Sequence, residues 1–307
     1  MRAITYHRYG GPDVLQLTDL PTPKVGPDSV LVSVRATSVN PVDWKVREGY
    51  LDGLMDAVFP VVPGWDVAGV VERVGLDVPE LAVGDEVIGY VRKDVVSGGT
   101  TAELVAAPVR TLARKPSSLS WEEAATLPLA GLTAYQALRR LGVGRGDTVL
   151  VHNATGGVGA FAVQIARDLG ARVIGTASER NHEHVRSLGA EPVPYGEDMV
   201  ASVRQLVPDG VDVVLDLVGG GVIRTSPEVV KAGARLGSVA DDAVTELGGA
   251  YMWVRPDADD LAAVAALADR GALRVDVARV FSLEEAAAAH ELSASGHVRG
   301  KVVIRVA

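Results

Sequence analysis

Residues 148–171 read TVLVHNATGGVGAFAVQIARDLGA, and this stretch decides the fold. TVLVHN (148–153) is an unbroken apolar run, as expected of a strand covered on both faces. After it come Thr155, Gly156, Gly157, Val158 and Gly159, and then GAFAVQIARDLGA (159–171). In that segment Phe161, Ile165, Ala166 and Leu169 recur at helical spacing, and Gly170 stands where a helix should stop. Gly157, Gly159 and Ala162 satisfy G-x-G-x-x-A between a strand and a helix, the context in which the pattern marks a dinucleotide-binding loop. Gly157 would allow a tight turn, Gly159 would let backbone approach a pyrophosphate, and Ala162 would let the helix pack close to the strand. The helix start would present unpaired N–H groups to the phosphates. A purely structural turn is the plain alternative.

The rhythm continues outward. RVIGTA (172–177), VDVVLDLVG (211–219) and ARLGSVA (234–240) read as further strands, with a helix over HEHVRSLGA (182–190). Strands alternating with helices predict an α/β fold with a doubly wound parallel sheet. Upstream, residues 1 to about 115 read as strands and turns: VLVSVRATSV (30–39), VAGVVERVG (67–75) and GDEVIGYV (84–91). RKPSSLS (114–120) breaks that region, and Ser120 with Glu123 forms a capping box that should open a helix at Trp121. The tail predicts a helix over about 257–270, a strand near 274–281, a helix capped by Ser282 and Glu285, and a last strand KVVIRV.

The strand after the glycine loop selects the dinucleotide. An NAD site carries a carboxylate about 20 residues on, to bond the ribose 2′-OH. Here that distance reaches Ala177, followed by Ser178, Glu179 and Arg180. A hydroxyl and a guanidinium suit a 2′-phosphate, so NADPH is the expected cofactor, with Glu179 leaving NADH open. The formal charge of −9 argues against nucleic-acid partners, and there are no cysteines to form disulfides, thiolate zinc sites or thiol nucleophiles. No run of about 18 apolar residues predicts a membrane span, and the first residues lack a signal-peptide core, so a cytoplasmic protein is expected.

Taken in order, VNPVDWKVREG, PGWDVAGVV, GDEVIG, PLAGLTAYQAL, ATGGVG and GHVRGKVVI resemble the zinc-independent medium-chain dehydrogenases/reductases, in the NADPH:quinone oxidoreductase family. The resemblance implies a β-rich, GroES-like catalytic domain over 1–120, completed by 257–307, and a Rossmann NADPH-binding domain over 121–256. It implies a homodimer that reduces a small-molecule quinone or an activated enone. Zinc-dependent relatives read Gly-His-Glu where this chain has Gly64, Trp65 and Asp66, so no metal site is expected. His182 and His184, two apart on a helix, would not face the same way.

The resemblance also assigns residues. Asn40 would lie beside the nicotinamide with a catalytic part, although Asn40-Pro41 is also a common turn pair. Thr133 would contact the carboxamide side, or simply pack. Tyr195 would reach the 2′-phosphate, or close a strand end. Lys45 would stabilise or protonate the anion formed by hydride addition, or be a surface lysine beside Asp43 and Arg47. Tyr50, Tyr251 and Trp253 would line a substrate pocket, or serve as core or dimer contacts. Lys301 and Arg299 would approach the cofactor phosphates, Asp66 would be a structural carboxylate, and His152 would be a satisfied strand-end residue. A chain that holds NADPH for regulation with little turnover is the alternative from another functional class.

Overall fold

The computed structural model describes residues 1–296 and 298–307. The chain forms two compact units: residues 1–132 with 256–270 and 275–307, and residues 133–255 with 271–274. In chain order the first segment holds β1 (Arg2–Thr5), β2 (Gln16–Asp19), β3 (Ser29–Val39), α1 (Pro41–Arg47), β4 (Asp66–Val74), β5 (Glu86–Tyr90), β6 (Leu104–Pro108), β7 (Leu112–Arg114) and α2 (Trp121–Ala124). α3 (Leu127–Arg140) crosses from the first unit into the second. The second unit continues with β8 (Thr148–Val151), α4 (Gly157–Asp168), β9 (Arg172–Thr176), α5 (His182–Leu188), β10 (Glu191–Val193), α6 (Met199–Leu206), β11 (Val211–Asp216), β12 (Val230–Ser238) and β13 (Ala250–Tyr251). The tail adds α7 (Ala258–Asp269), β14 (Val277–Ser282), α8 (Ala286–Ala294) and β15 (Lys301–Arg305) to the first unit.

The first unit is built on β3, which pairs antiparallel with β15, β4 and β6 in a sheet ordered β14-β15-β3-β4-β5-β7. Val30, Val32 and Val34 alternate along β3 and meet Val67, Val71, Val87 and Ile304 in one core. Here the Asn-Pro pair opens a helix and not a turn: Asn40 is the N-cap of α1, Pro41 its first residue, and Asp43 accepts from the Asn40 backbone N–H at 2.6 Å. The break before residue 121 leads into a helix as expected, with Ser120 Oγ accepting from Glu123 N–H. Residues 121–132 nevertheless belong to the first unit. Ser118 N–H bonds Asp269 at 3.0 Å and Leu129 N–H bonds Asp66 at 2.7 Å, so the chain leaves that unit only within α3.

The second unit is an all-parallel sheet ordered β10-β9-β8-β11-β12-β13. Counted within the unit this is 3-2-1-4-5-6, the order of a doubly wound dinucleotide fold whose ligand lies at the carboxyl ends of the strands. The strands are continuous apolar runs because both faces are covered: Thr148 to Val151 are all buried.

Candidate functional site

The glycine loop follows the carboxyl end of β8. His152 N–H still bonds Leu215 O on β11, and then Asn153 takes a left-handed conformation with φ 59°. Asn153, and not Gly157, therefore makes the turn; Gly157 is the first residue of α4. Gly159 carries the steric demand. A Cβ there would lie 2.0 Å from the Asn153 carbonyl oxygen, so only glycine lets the helix sit on the loop. The N-cap, Gly156, has no side chain to bond the first turn. Gly157 and Val158 are half-exposed, so the orphan N–H groups of the first turn are within reach of an anion. Thr155 is buried beneath them.

β9 is tied to this loop: Asn153 N–H bonds Thr176 Oγ1 at 3.0 Å and Ala154 N–H bonds Thr176 O at 3.0 Å. Ser178 follows at the strand end, where its Oγ accepts from Asn181. Arg180 is exposed in a short 3-10 turn and forms no ion pair among the described residues. Val193 of β10 pairs with Thr176, which brings the exposed Tyr195 to the same end of the sheet. Ser178 and Arg180 thus follow the end of β9, and Tyr195 follows the end of the neighbouring β10. Below the loop, Asp216 accepts from Val218 N–H, Gly219 N–H and Ser238 Oγ. His152 is buried with no partner for Nε2 among the described residues, and burial pushes its pKa down to about 4.

The first unit holds a second arrangement that the sequence reading missed. Asp66, fully buried on β4, accepts from Ser38 Oγ at 2.5 Å, Asn40 Nδ2 at 2.8 Å and Leu129 N–H. Lys301 at the start of β15 donates to Asn40 Oδ1, with its ammonium 4.0 Å from Asp66. Burial raises the pKa of both Asp43 and Asp66, and Lys301 opposes that rise; burial lowers Lys301 against the pull of the two carboxylates. Asp66 is thus the structural carboxylate expected. Lys301 is a correction: its ammonium is spent inside the unit and is not free for a cofactor phosphate. Arg299 is exposed, and His297 of the same motif lies outside the described residues.

The other assigned residues are scattered. Asn40 is only 2 % exposed, with its amide held between Asp66 and Lys301. Lys45 is exposed, its ammonium 5.6 Å from the centre of the Trp44 ring. Thr133 is buried in α3, in the second unit. Tyr50 is exposed in the first unit and packs edge-on against Trp44. Tyr251 and Trp253 belong to the second unit, at and just beyond the edge strand β13, and both are partly exposed. Among the described residues, no group of three or more His, Asp or Glu side chains is placed to hold a metal, and no helix is long and apolar enough to cross a membrane.

Comparison with known proteins agrees with this architecture. Residues 26–117 match the alcohol dehydrogenase GroES-like domain, and residues 188–304 match the family described as zinc-binding dehydrogenase. The chain is 36 % identical to the 2-methylene-furan-3-one reductase of Solanum lycopersicum, over 99 % of its own length and 79 % of the relative's. It is equally similar to the chloroplastic NADPH-dependent alkenal/one oxidoreductase of Arabidopsis thaliana, 36 % over 99 % and 79 %. The structure of the quinone oxidoreductase from Coxiella burnetii superposes with a TM-score of 0.90 at 36 % identity, covering 100 % of this chain and 99 % of that one. The chain is therefore an oxidoreductase of the medium-chain dehydrogenase/reductase family, in its quinone oxidoreductase-like branch.

Proposed function

We propose that the chain is an NADPH-dependent, zinc-independent reductase that passes hydride to a quinone or to the β-carbon of an activated enone. The observation that carries this is the glycine loop at the switch point of the 3-2-1-4-5-6 sheet, with a guanidinium free at the end of the next strand. The loop fits the group, because Gly157 and Val158 in the first turn of α4 are half-exposed and the Gly156 N-cap has no side chain to occupy their N–H groups. When bound, NADPH supplies the hydride. Gly157, Val158 and Gly159 offer their N–H groups to the pyrophosphate, and Thr155 and Gly156 hold the turn. Ser178, Arg180 and Tyr195 take the 2′-phosphate, and Arg180 prefers it to a ribose hydroxyl by charge. Thr133 and Asn40 orient the nicotinamide, Asn40 through the amide N–H that Asp66 leaves over. Lys45 supplies positive charge for the anion that hydride addition creates. Tyr50, Tyr251 and Trp253 give apolar surface to the substrate.

The absence of cysteine and the replacement of a zinc-ligand position by the buried Trp65 support hydride transfer without a Lewis acid. The names of the plant relatives support a conjugated carbonyl acceptor, and that of the Coxiella neighbour supports a quinone. The edge strand β13 supports a homodimer, since an open edge of this kind is normally covered. A cytoplasmic setting remains part of the proposal. The test is NADPH oxidation followed at 340 nm with 1,4-benzoquinone and, separately, with but-3-en-2-one. Turnover of either acceptor by the purified protein supports the reading. NADPH binding with no turnover of any quinone or enone favours the regulatory alternative.

A further inference from the structure

The first unit contains a recess of about 340 Å³ counted out to its mouth, lined by Tyr6, Asp43, Trp65, Lys93 and Val95 among others. Its enclosed part is small: the centre of a water molecule can range over about 10 Å³, room for one water or one carbonyl oxygen. Two polar groups on its wall are not used by the fold. The Tyr6 hydroxyl is buried and has no hydrogen-bond partner among the described residues. Leaving such a donor unsatisfied in the interior is costly, and a ligand acceptor would relieve that cost. Lys93 is half-buried just beyond β5, and its ammonium forms no hydrogen bond or ion pair among the described residues. Burial alone holds its pKa below the usual lysine range. The neighbouring charges do not satisfy it: Arg92 pairs with Asp94 at 3.3 Å, and Asp43 is engaged by the Asn40 backbone. By contrast, Lys301 is consumed by Asn40 and Asp66, and Lys45 sits exposed over Trp44.

We propose that Lys93 is a catalytic residue whose ammonium, with the Tyr6 hydroxyl as second donor, meets the substrate's carbonyl oxygen in this recess. The inference rests on the reductase reading and puts Lys93 in place of Lys45 as the group that meets the substrate oxygen, because Lys93 lines the recess and Lys45 does not. Hydride adds to the β-carbon of an enone, the C=C and C=O electron pairs shift, and an enolate oxygen forms while the nicotinamide is oxidised. Lys93 stabilises that oxygen and transfers one proton to it, giving an enol that tautomerises to the saturated ketone. Water then reprotonates the lysine. A quinone takes the same hydride and proton to give a hydroquinone. Its monoanion is far less basic than an enolate, so it depends less on the donor.

The experiment compares wild type with Lys93→Met, Lys93→Arg and Lys45→Met, using but-3-en-2-one and 1,4-benzoquinone as acceptors and NADPH binding as a separate readout. For Lys93→Met we expect enone kcat to fall about 10²-fold, the scale of losing one oxyanion donor, with a smaller fall for the quinone and unchanged NADPH affinity. The proton is available below the lysine pKa, so wild-type enone kcat should decline as pH rises through it. Lys93→Arg should keep part of the rate and lose that alkaline limb. Should Lys93→Met keep enone kcat within about twofold with the limb intact, or should only Lys45→Met remove the limb, the role of Lys93 is overturned while the reductase reading stands. Wild-type protein that binds no NADPH or reduces neither acceptor overturns both.

Discussion

At the residue scale, the two parts of the site are specified in different ways. Gly159 is fixed by backbone, because the nearest atom to any added Cβ is the Asn153 carbonyl oxygen. We expect Gly159→Ala to cost about 1–3 kcal/mol, the range for forcing a methyl into a packed site, and to weaken NADPH binding in parallel. Thermal melting with and without cofactor checks both effects. Asp66 is fixed by side-chain pairing. Asp66→Ala would strand Lys301 and three donors in the interior, so a loss of about 3–5 kcal/mol is expected. Lys301→Met, which leaves Asp66 its three hydrogen bonds, should cost less; urea melts that reverse this order would contradict the reading of the cluster.

At the element scale, much was legible. The strands of the second unit announced themselves as unbroken apolar runs, and α4 by its spacing and its terminal Gly170, which adopts φ 88°. The caps at Ser120 and Ser282 and the helix after Asp257 were also readable. What escaped was short or long-range. β10 has three residues and β13 two, too few for any periodicity to appear, and α6 has only eight. α1 is ambiguous in the sequence: Asn40, Pro41 and Asp43 form an N-terminal helix signature, but the same Asn-Pro pair opens turns. The Asp66–Lys301 pairing exists only because β15 returns beside β3, and no local pattern announces it. The recess around Lys93 is invisible for the same reason. Asp257 accepts from Asp260 N–H at 3.0 Å, so Asp257→Ala should cost about 1 kcal/mol and lower the melting temperature by a few degrees.

At the scale of the whole molecule, pH acts through buried histidines. His290 accepts from Arg47 through Nδ1 at 3.2 Å, and burial with that neighbouring charge pushes its pKa down to about 3. The folded form thus binds its proton less readily than the unfolded chain does. Stability from this group is complete above the ordinary histidine pKa of about 6.5 and is lost as pH falls from there toward about 3. His152, pushed down to about 4, adds a drop of the same sign. We expect the stability difference between wild type and His290→Gln to shrink steadily between pH 7 and pH 4; a pH-independent difference would show that His290 does not titrate on unfolding.

The identity of the cofactor underlies the whole functional reading, and one titration reaches it: purified protein against NADPH and against NADH, followed by nicotinamide fluorescence, with Arg180→Ala in parallel. We expect NADPH to bind at least about tenfold more tightly than NADH, and Arg180→Ala to erase that advantage without affecting NADH, as loss of one charge-assisted contact requires. Equal or tighter NADH binding would make Glu179 the ribose partner. Binding of neither would leave TVLVHNATGGVG a structural turn and remove the basis for a reductase.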